Sequence, residues 1–122
     1  MLHEASSTEI SKLKKEKKLE MSWACYEGDF LYFYEKNDCI CAVVRVAEDP
    51  NDKFVLWIEE FEVIREYRNS GIGKEVIQTL IEEFDYVIKL LAMNRKVAEF
   101  WEKCGFVYEY NEWDEIRMVY SR

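Results

Sequence analysis

The sequence is poor in the residues that build metal sites. It has one histidine, His3, and four cysteines, at positions 25, 39, 41 and 104. The cysteines do not form two pairs at the spacing of zinc ligands, so no metal site is expected. Cys39 and Cys41 alternate along an apolar stretch, which predicts that both thiols point to one buried face of a strand. Reduced thiols fit a cytosolic compartment.

Long apolar runs and positive charge are also scarce. No apolar run approaches membrane-spanning length, and the N-terminus lacks the order of a signal peptide, so we expect a cytoplasmic protein without a membrane partner. Lysine and arginine number 17 against 25 acidic residues, a net charge of −8. This balance argues against nucleic-acid binding and favours a basic partner. A chain of 122 residues, 49% hydrophobic, predicts one domain spanning 1–122.

Only four glycines are present, and two of them share one turn. The turn contains Gly71 and Gly73, follows an apolar strand-like run, and precedes apolar residues at helical spacing. A bulky anion can approach a main chain that lacks Cβ atoms, and there it meets the positive end of a helix dipole. The turn is not a Walker loop, because Glu66 and Glu75 occupy its required positions. It is not a dinucleotide fingerprint either, because Val76 replaces the third glycine.

A second pattern runs from Asn94 to Phe106. Asn94 can cap a helix, and Gly105 can end it with a left-handed residue. Together with Arg68-x-x-Gly71-x-Gly73, this run resembles motifs A and B of the GNAT superfamily of acetyl-CoA-dependent N-acetyltransferases. The resemblance covers the chain from about residue 54 to its C-terminus. It implies an α/β (α+β) fold with a mixed, mostly antiparallel central sheet that is split at the middle and flanked by helices.

The predicted order is helix, three antiparallel strands, helix, strand, helix, strand, strand. This is the GNAT order with the front of the fold shortened, which would leave the acceptor side open or dependent on a second subunit. A homodimer is therefore a further expectation. The first helix is expected to begin at a cap within residues 6–9. The other predicted elements are strands at 30–34, 39–47, 54–63, 86–91, 106–110 and 115–120, and helices at 72–84 and from residue 94.

The resemblance also implies where acetyl-CoA would bind as co-substrate. Its pantetheine arm would meet the main chain of Phe61 and Val63 in the split. Its pyrophosphate would meet the N–H groups of residues 68–74, with charge added by the Arg68 and Lys74 side chains. The full set of expected cofactor residues is Phe61, Val63, Arg68, Asn69, Ser70, Gly71, Ile72, Gly73, Lys74, Asn94, Phe100 and Lys103.

Two acids interrupt the apolar run that precedes the turn. Glu59 and Glu60 are costly in such a strand unless they face a cavity, so we predict that they take the proton of an amine acceptor. The competing interpretation places them on a solvated edge. The run resembles the acidic strand of polyamine and aminoglycoside acetyltransferases, and Glu62 would share a face with Glu60. The acceptor is then a cationic small molecule, or a lysine or N-terminus of a protein.

One residue departs from the family pattern. Motif B usually places a tyrosine, which protonates the leaving CoA thiolate, where this chain has Trp101. An indole N–H cannot deliver a proton. Either water, Tyr108 or Cys104 takes over that task, or the chain is a non-catalytic acyl-CoA-binding module with a regulatory or interaction role.

Overall fold

A computed structural model of the chain describes residues 1–23 and 29–121, and Cys25 lies outside them. In that part of the chain seven strands and three α-helices follow one another, with a short 3₁₀ helix at Arg65–Tyr67 before α2. The elements are β1 (Leu2–Glu4), α1 (Ser7–Lys15), β2 (Phe30–Lys36), β3 (Cys39–Glu48), β4 (Val55–Val63), α2 (Ile72–Glu83), β5 (Val87–Ala92), α3 (Arg95–Lys103), β6 (Val107–Glu109) and β7 (Ile116–Tyr120).

All seven strands join one sheet in the order β1-β2-β3-β4-β5-β7-β6. The β4–β5 pair is parallel and the other neighbours are antiparallel. The parallel pair is connected through α2, as parallel neighbours require a crossover. The predicted mixed, mostly antiparallel sheet is confirmed.

The sheet opens between β4 and β5. Pairing runs from Val55 opposite Val87 to Ile58 opposite Leu90, and within the described residues it does not continue further. β4 itself extends to Val63, paired there only with β3. The predicted split in the middle of the sheet is therefore present.

A β-bulge sits where the split begins. Ile58 pairs with Val46 and Glu60 with Arg45, so Glu59 is an extra residue on β4. The bulge shifts the alternation by one residue, and Phe61 therefore packs against the same core as Ile58. Glu60 and Glu62 consequently face the opposite side of the sheet.

Two hydrophobic clusters cover the two faces. The larger cluster lies between the sheet and helices α2 and α3, and the smaller one lies under α1, where Ile10 and Leu13 meet Phe33 and Val43. Burying a side chain of this kind contributes about 1.5–3 kcal/mol relative to exposure. The helices therefore flank the sheet, as predicted, and the structure places them on both faces.

The start of α1 also follows the prediction. The Ser6 hydroxyl accepts a hydrogen bond from the Glu9 N–H at 3.2 Å, and the Glu9 carboxylate accepts one from the Ser6 N–H at 3.0 Å. This reciprocal capping box satisfies two N–H groups at the helix start. Among the described helices, none has the length and apolar character needed to span a bilayer.

Two expectations were wrong. β1 precedes α1, so the fold does not start with a helix; the three-residue strand is too short to show a periodic pattern, and it pairs with β2. Cys41 is buried but Cys39 is exposed. The alternation fails because Cys41 is itself an extra residue, lying between the pairs Tyr34–Ala42 and Glu35–Ile40.

Candidate active site

The turn before α2 leaves its main chain open to solvent. Gly71 is the N-cap of α2, with φ +82°, and no side chain caps the helix there. A Cβ built on Gly71 would meet nothing within 4 Å, and Asn69 also has a positive φ of 61°. The exposed Lys74 side chain lies one turn further along. Uncapped N–H groups facing open space at the positive end of a helix dipole can hold a diphosphate.

Gly73 has a different task. A Cβ at this position would lie 3.1 and 3.2 Å from two ring atoms of Phe100 and 3.6 Å from Val63. The ring of Phe100 stacks on Phe61 with centroids 6.1 Å apart. Four of the predicted cofactor residues, on β4, α2 and α3, therefore meet beside the split.

Asn94 and Lys103 stand at the two ends of α3. The side-chain oxygen of Asn94 accepts a hydrogen bond from the Val97 N–H at 2.8 Å, so Asn94 is the predicted N-cap. Gly105 has φ +97°, the left-handed conformation predicted for the helix end. Lys103 is exposed in the last turn. Contacts of Asn94 and Lys103 with the cofactor stay predictions.

Arg68 is held by protein groups. Its Nε donates to the Val63 carbonyl at 2.8 Å, and its two terminal nitrogens lie 3.3 Å from Glu62 and 3.5 Å from Glu20. The charge of Arg68 is thus shared with two carboxylates. To contact a pyrophosphate, the side chain would have to leave them or be shared between them and the phosphate.

The two candidate catalytic carboxylates have different surroundings. Glu60 is largely buried and accepts from Nε of Arg45 at 2.9 Å, while Arg45 also pairs with Asp29. Glu59, on the bulge, is exposed, and across residues 1–23 and 29–121 it has no hydrogen-bond or ion-pair partner. The Glu60 carboxylate is occupied by Arg45, whereas the Glu59 carboxylate is open to solvent and to an incoming amine. Glu59 is therefore better placed than Glu60 to act as the base.

Arg45 and Asp29 were missed by sequence reasoning. Nothing in the local pattern of β3 indicates that Arg45 lies opposite Glu60, because the register depends on the bulge. Glu62 shares its face of β4 with Glu60, as predicted, and it is hydrogen-bonded to Trp23, two main-chain N–H groups and Arg68.

Trp101 lies inside an aromatic cluster next to the split. Its ring is 5.0 Å from Phe100, 5.8 Å from Phe61 and 5.3 Å from Phe106, and 6% of the residue is exposed. The residue that replaces the family's tyrosine is therefore part of the core.

Neither side chain proposed as a substitute donor has favourable surroundings for that task. Tyr108 lies on β6, separated from β4 by β5 and β7, and its hydroxyl donates to Glu102 at 3.5 Å. This position does not favour the expected catalytic role of Tyr108, which stays a prediction. Burial raises the pKa of Cys104 to about 11. That thiol is a weaker acid than an ordinary thiol of pKa about 8.5, so it cannot efficiently protonate a CoA thiolate.

Comparisons with known proteins agree with this geometry. The model of the acetyltransferase (GNAT) family matches residues 1–106. The chain belongs to the GNAT family. A search of curated proteins gave no match.

Solved structures of this family share the fold at low sequence identity. A GNAT-family protein from Bacteroides thetaiotaomicron is 15% identical, with a TM-score of 0.74 over 100% of this chain and 87% of the other. A chimera of spermidine N-acetyltransferase SpeG from Vibrio cholerae and hSSAT is 16% identical, with a TM-score of 0.73 over 98% and 94%. An acetyltransferase from Bacillus subtilis, solved in complex with CoA, is 11% identical, with a TM-score of 0.66 over 99% and 97%.

Proposed function

We propose that this GNAT-family chain is an acetyl-CoA-dependent N-acetyltransferase that acts on the primary amine of a cationic acceptor. The observation that carries the proposal is the split between β4 and β5, which leads from the end of β4, free on its β5 side, to the uncapped turn at Gly71. A thioester arm can extend the free edge of β4 while its diphosphate meets the first turn of α2. The CoA complex of the Bacillus subtilis neighbour supports this choice of co-substrate.

The acceptor side carries negative charge next to the split. An amine of pKa about 10.4 must lose a proton before it attacks the thioester carbonyl. Glu59 is exposed on the bulge at the point where β4 and β5 separate, so it receives that proton. The C–N bond forms as the C–S bond breaks; water accepts the second proton of the attacking nitrogen and gives one to the departing thiolate. Glu60 remains paired with Arg45 and supports the strand.

A small polyamine or a basic protein segment fits this acceptor side. The net charge of −8 attracts cations, and the spermidine acetyltransferase chimera among the structural neighbours supports testing polyamines first.

Trp101 supports a second candidate function, a non-catalytic acyl-CoA-binding module. Its buried indole replaces the tyrosine of the family pattern, Tyr108 is separated from β4 by two strands, and burial makes the Cys104 thiol a weak acid.

The cofactor is tested by thermal unfolding with acetyl-CoA. Ligand at about 100 times its dissociation constant should raise the free energy of unfolding by about 2.7 kcal/mol. Gly71→Glu should abolish the effect, because it places a negative charge at the open turn. Gly71→Ala is the matched control: it adds one methyl group where nothing lies within 4 Å and should retain binding. An unchanged melting temperature in the unsubstituted protein would refute the co-substrate.

The transfer step is tested with a panel of amines, spermidine first, by following the release of free thiol. Glu59→Gln should lower turnover about 10²- to 10⁴-fold with unchanged acetyl-CoA affinity. Trp101→Tyr should raise turnover if only a proton donor is missing. Acetyl-CoA binding without transfer by either the unsubstituted protein or Trp101→Tyr would favour the non-catalytic module.

A further inference from the structure

Glu62 is a buried carboxylate whose acceptor capacity is filled. Its oxygens accept hydrogen bonds from the N–H groups of Glu20 at 2.6 Å and Met21 at 3.1 Å, from the indole of Trp23 at 2.7 Å, and from Arg68 at 3.3 Å. A carboxylate offers about four acceptor sites. Glu62 therefore has no site left for a substrate amine, although it lies on the acidic strand.

These bonds fasten one chain segment to β4. Residues 20–23 follow α1 in sequence and reach the sheet through Glu62, while the Trp23 ring is buried in the smaller core cluster. Glu60 is two residues away on the same face of β4, a distance of about 7 Å along a strand. The segment 20–23 therefore borders the strand face that adjoins the candidate acceptor side.

Arg68 links this arrangement to the turn before α2. It is the first residue of the run 68–74, and its guanidinium contacts both Glu62 and Glu20. A diphosphate at the first turn of α2 would compete with these two carboxylates, since arginine binds phosphate oxygens through two parallel hydrogen bonds. Arg68 therefore cannot bind the diphosphate of the co-substrate and at the same time keep all its bonds to Glu62 and Glu20.

We propose that Glu62 is a positioning residue that couples the diphosphate turn to the segment 20–23 through Arg68. The inference rests on the proposed function. When acetyl-CoA binds, Arg68 moves from Glu62 and Glu20 to the diphosphate, and the segment 20–23 is held by fewer bonds. Because linkage is reciprocal, an acceptor that fixes this segment changes the affinity for acetyl-CoA by the same factor.

The coupling is visible by ¹⁹F NMR of protein labelled with 5-fluorotryptophan. The Trp23 resonance is assigned by its loss in Trp23→Phe, and CoA is then added to saturation. We expect the Trp23 resonance to shift in the unsubstituted protein and to stay in place in Arg68→Gln. Arg65→Gln is the matched control, because Arg65 also pairs with Glu20 but is not among the partners of Glu62. It should retain the shift.

Binding affinities give an independent readout. Glu62→Gln removes the charge that competes for Arg68, so it should bind acetyl-CoA about 5- to 150-fold more tightly, the usual range of such couplings, while the acceptor KM rises. A residue with only a structural task would weaken both. If Glu62→Gln does not fold, the comparison of Arg68→Gln with Arg65→Gln decides alone.

The two proposals fail in different ways. A Trp23 resonance that does not move while calorimetry shows CoA binding would overturn the coupling and leave the proposed function intact. An absence of CoA binding in calorimetry would overturn the co-substrate and the coupling together.

Discussion

The guanidinium of Arg45 forms ion pairs with two carboxylates, those of Asp29 and Glu60, inside the protein. Its side chain is 10% exposed, and those of Asp29 and Glu60 are 15% and 13% exposed. Burial alone would lower the pKa of Arg45, but hydrogen bonds to Glu60 and Asp29 raise it above the ordinary value. An enclosed network of this kind adds little net stability over apolar residues, yet removing one member is costly.

We therefore expect Arg45→Met to lower the free energy of unfolding by about 3–5 kcal/mol, because two buried carboxylates lose their partner. Urea unfolding at neutral pH measures the change. The triple variant with Glu60→Gln and Asp29→Asn should recover much of the loss, since the charges of these two carboxylates are then removed as well. A loss in Arg45→Met below about 1 kcal/mol would mean that solvent already hydrates the two carboxylates and screens their charges.

Cys104 should make stability depend on pH in the alkaline range. Burial raises the pKa of this thiol from 9.0 to about 11, so it stays protonated in the folded chain after the unfolded chain has ionised. The unfolded state then binds fewer protons, and the free energy of unfolding falls as pH rises from about 9 to about 11.

Cys104→Ala should flatten this decrease, as measured by urea unfolding at several pH values. Val76→Ala is the matched control, since it also truncates a buried side chain but does not titrate. Its stability should be lower at every pH, with the slope of the unsubstituted protein. An equal slope in Cys104→Ala would contradict the assignment of the alkaline loss to this thiol.

At the scale of elements, the two glycines of the turn before α2 illustrate different constraints. Gly71 has a positive φ in open space, whereas the backbone of Gly73 packs against the ring of Phe100. Gly71→Ala should cost about 1 kcal/mol from the left-handed conformation alone. Gly73→Ala requires Phe100 to move by a few tenths of an ångström or more.

A double-mutant cycle tests this difference by urea unfolding. Combined with Phe100→Leu, Gly73→Ala should show a coupling of about 0.5–3 kcal/mol, because the smaller side chain makes room for the new methyl group. Gly71→Ala should combine additively with Phe100→Leu. Additivity in both pairs would show that the contact with Phe100 does not determine the need for glycine at 73.

The elements that sequence could predict are those with local signals. The sequence predicts α3 from Asn94 as its N-cap and from Gly105 as the left-handed residue that ends it. Both residues have these roles in the structure. β1 gives no signal because it is three residues long and gains its order from β2. The bulges at Cys41 and Glu59 could not be predicted from local sequence for a related reason. A bulge residue is defined by the register with the neighbouring strand, and the local pattern does not contain that register.

For the whole molecule, the net charge of −8 should govern the encounter with a cationic acceptor. The Debye length falls from about 30 Å at 0.01 M salt to about 8 Å at 0.15 M, so long-range attraction is lost over this range. We expect the acceptor KM to rise about tenfold, an effect typical of electrostatic steering, with little change in kcat. Steady-state kinetics with an identified amine provides the measurement. A salt-independent KM would argue for an acceptor recognised by apolar contacts.

The geometry of the candidate cofactor side was more predictable than that of the candidate acceptor side. Phe61, Gly73 and Phe100 meet because each belongs to a short motif whose spacing reflects the fold. On the acceptor side the decisive contacts join distant parts of the chain, such as Glu62 with Trp23. Such contacts depend on how a loop crosses the sheet, which no local pattern records.

The short parallel ladder between β4 and β5 has a mechanical consequence. Four residue pairs join the half of the sheet that holds β1 to β4 with the half that holds β5, β7 and β6. A force that pulls the two halves apart acts on these four residue pairs. It separates them one after another, starting at Ile58 and Leu90, where the split begins. An elongated molecule bound in the opening, in contact with both β4 and α3, would add contacts between the two halves where the strands themselves do not pair.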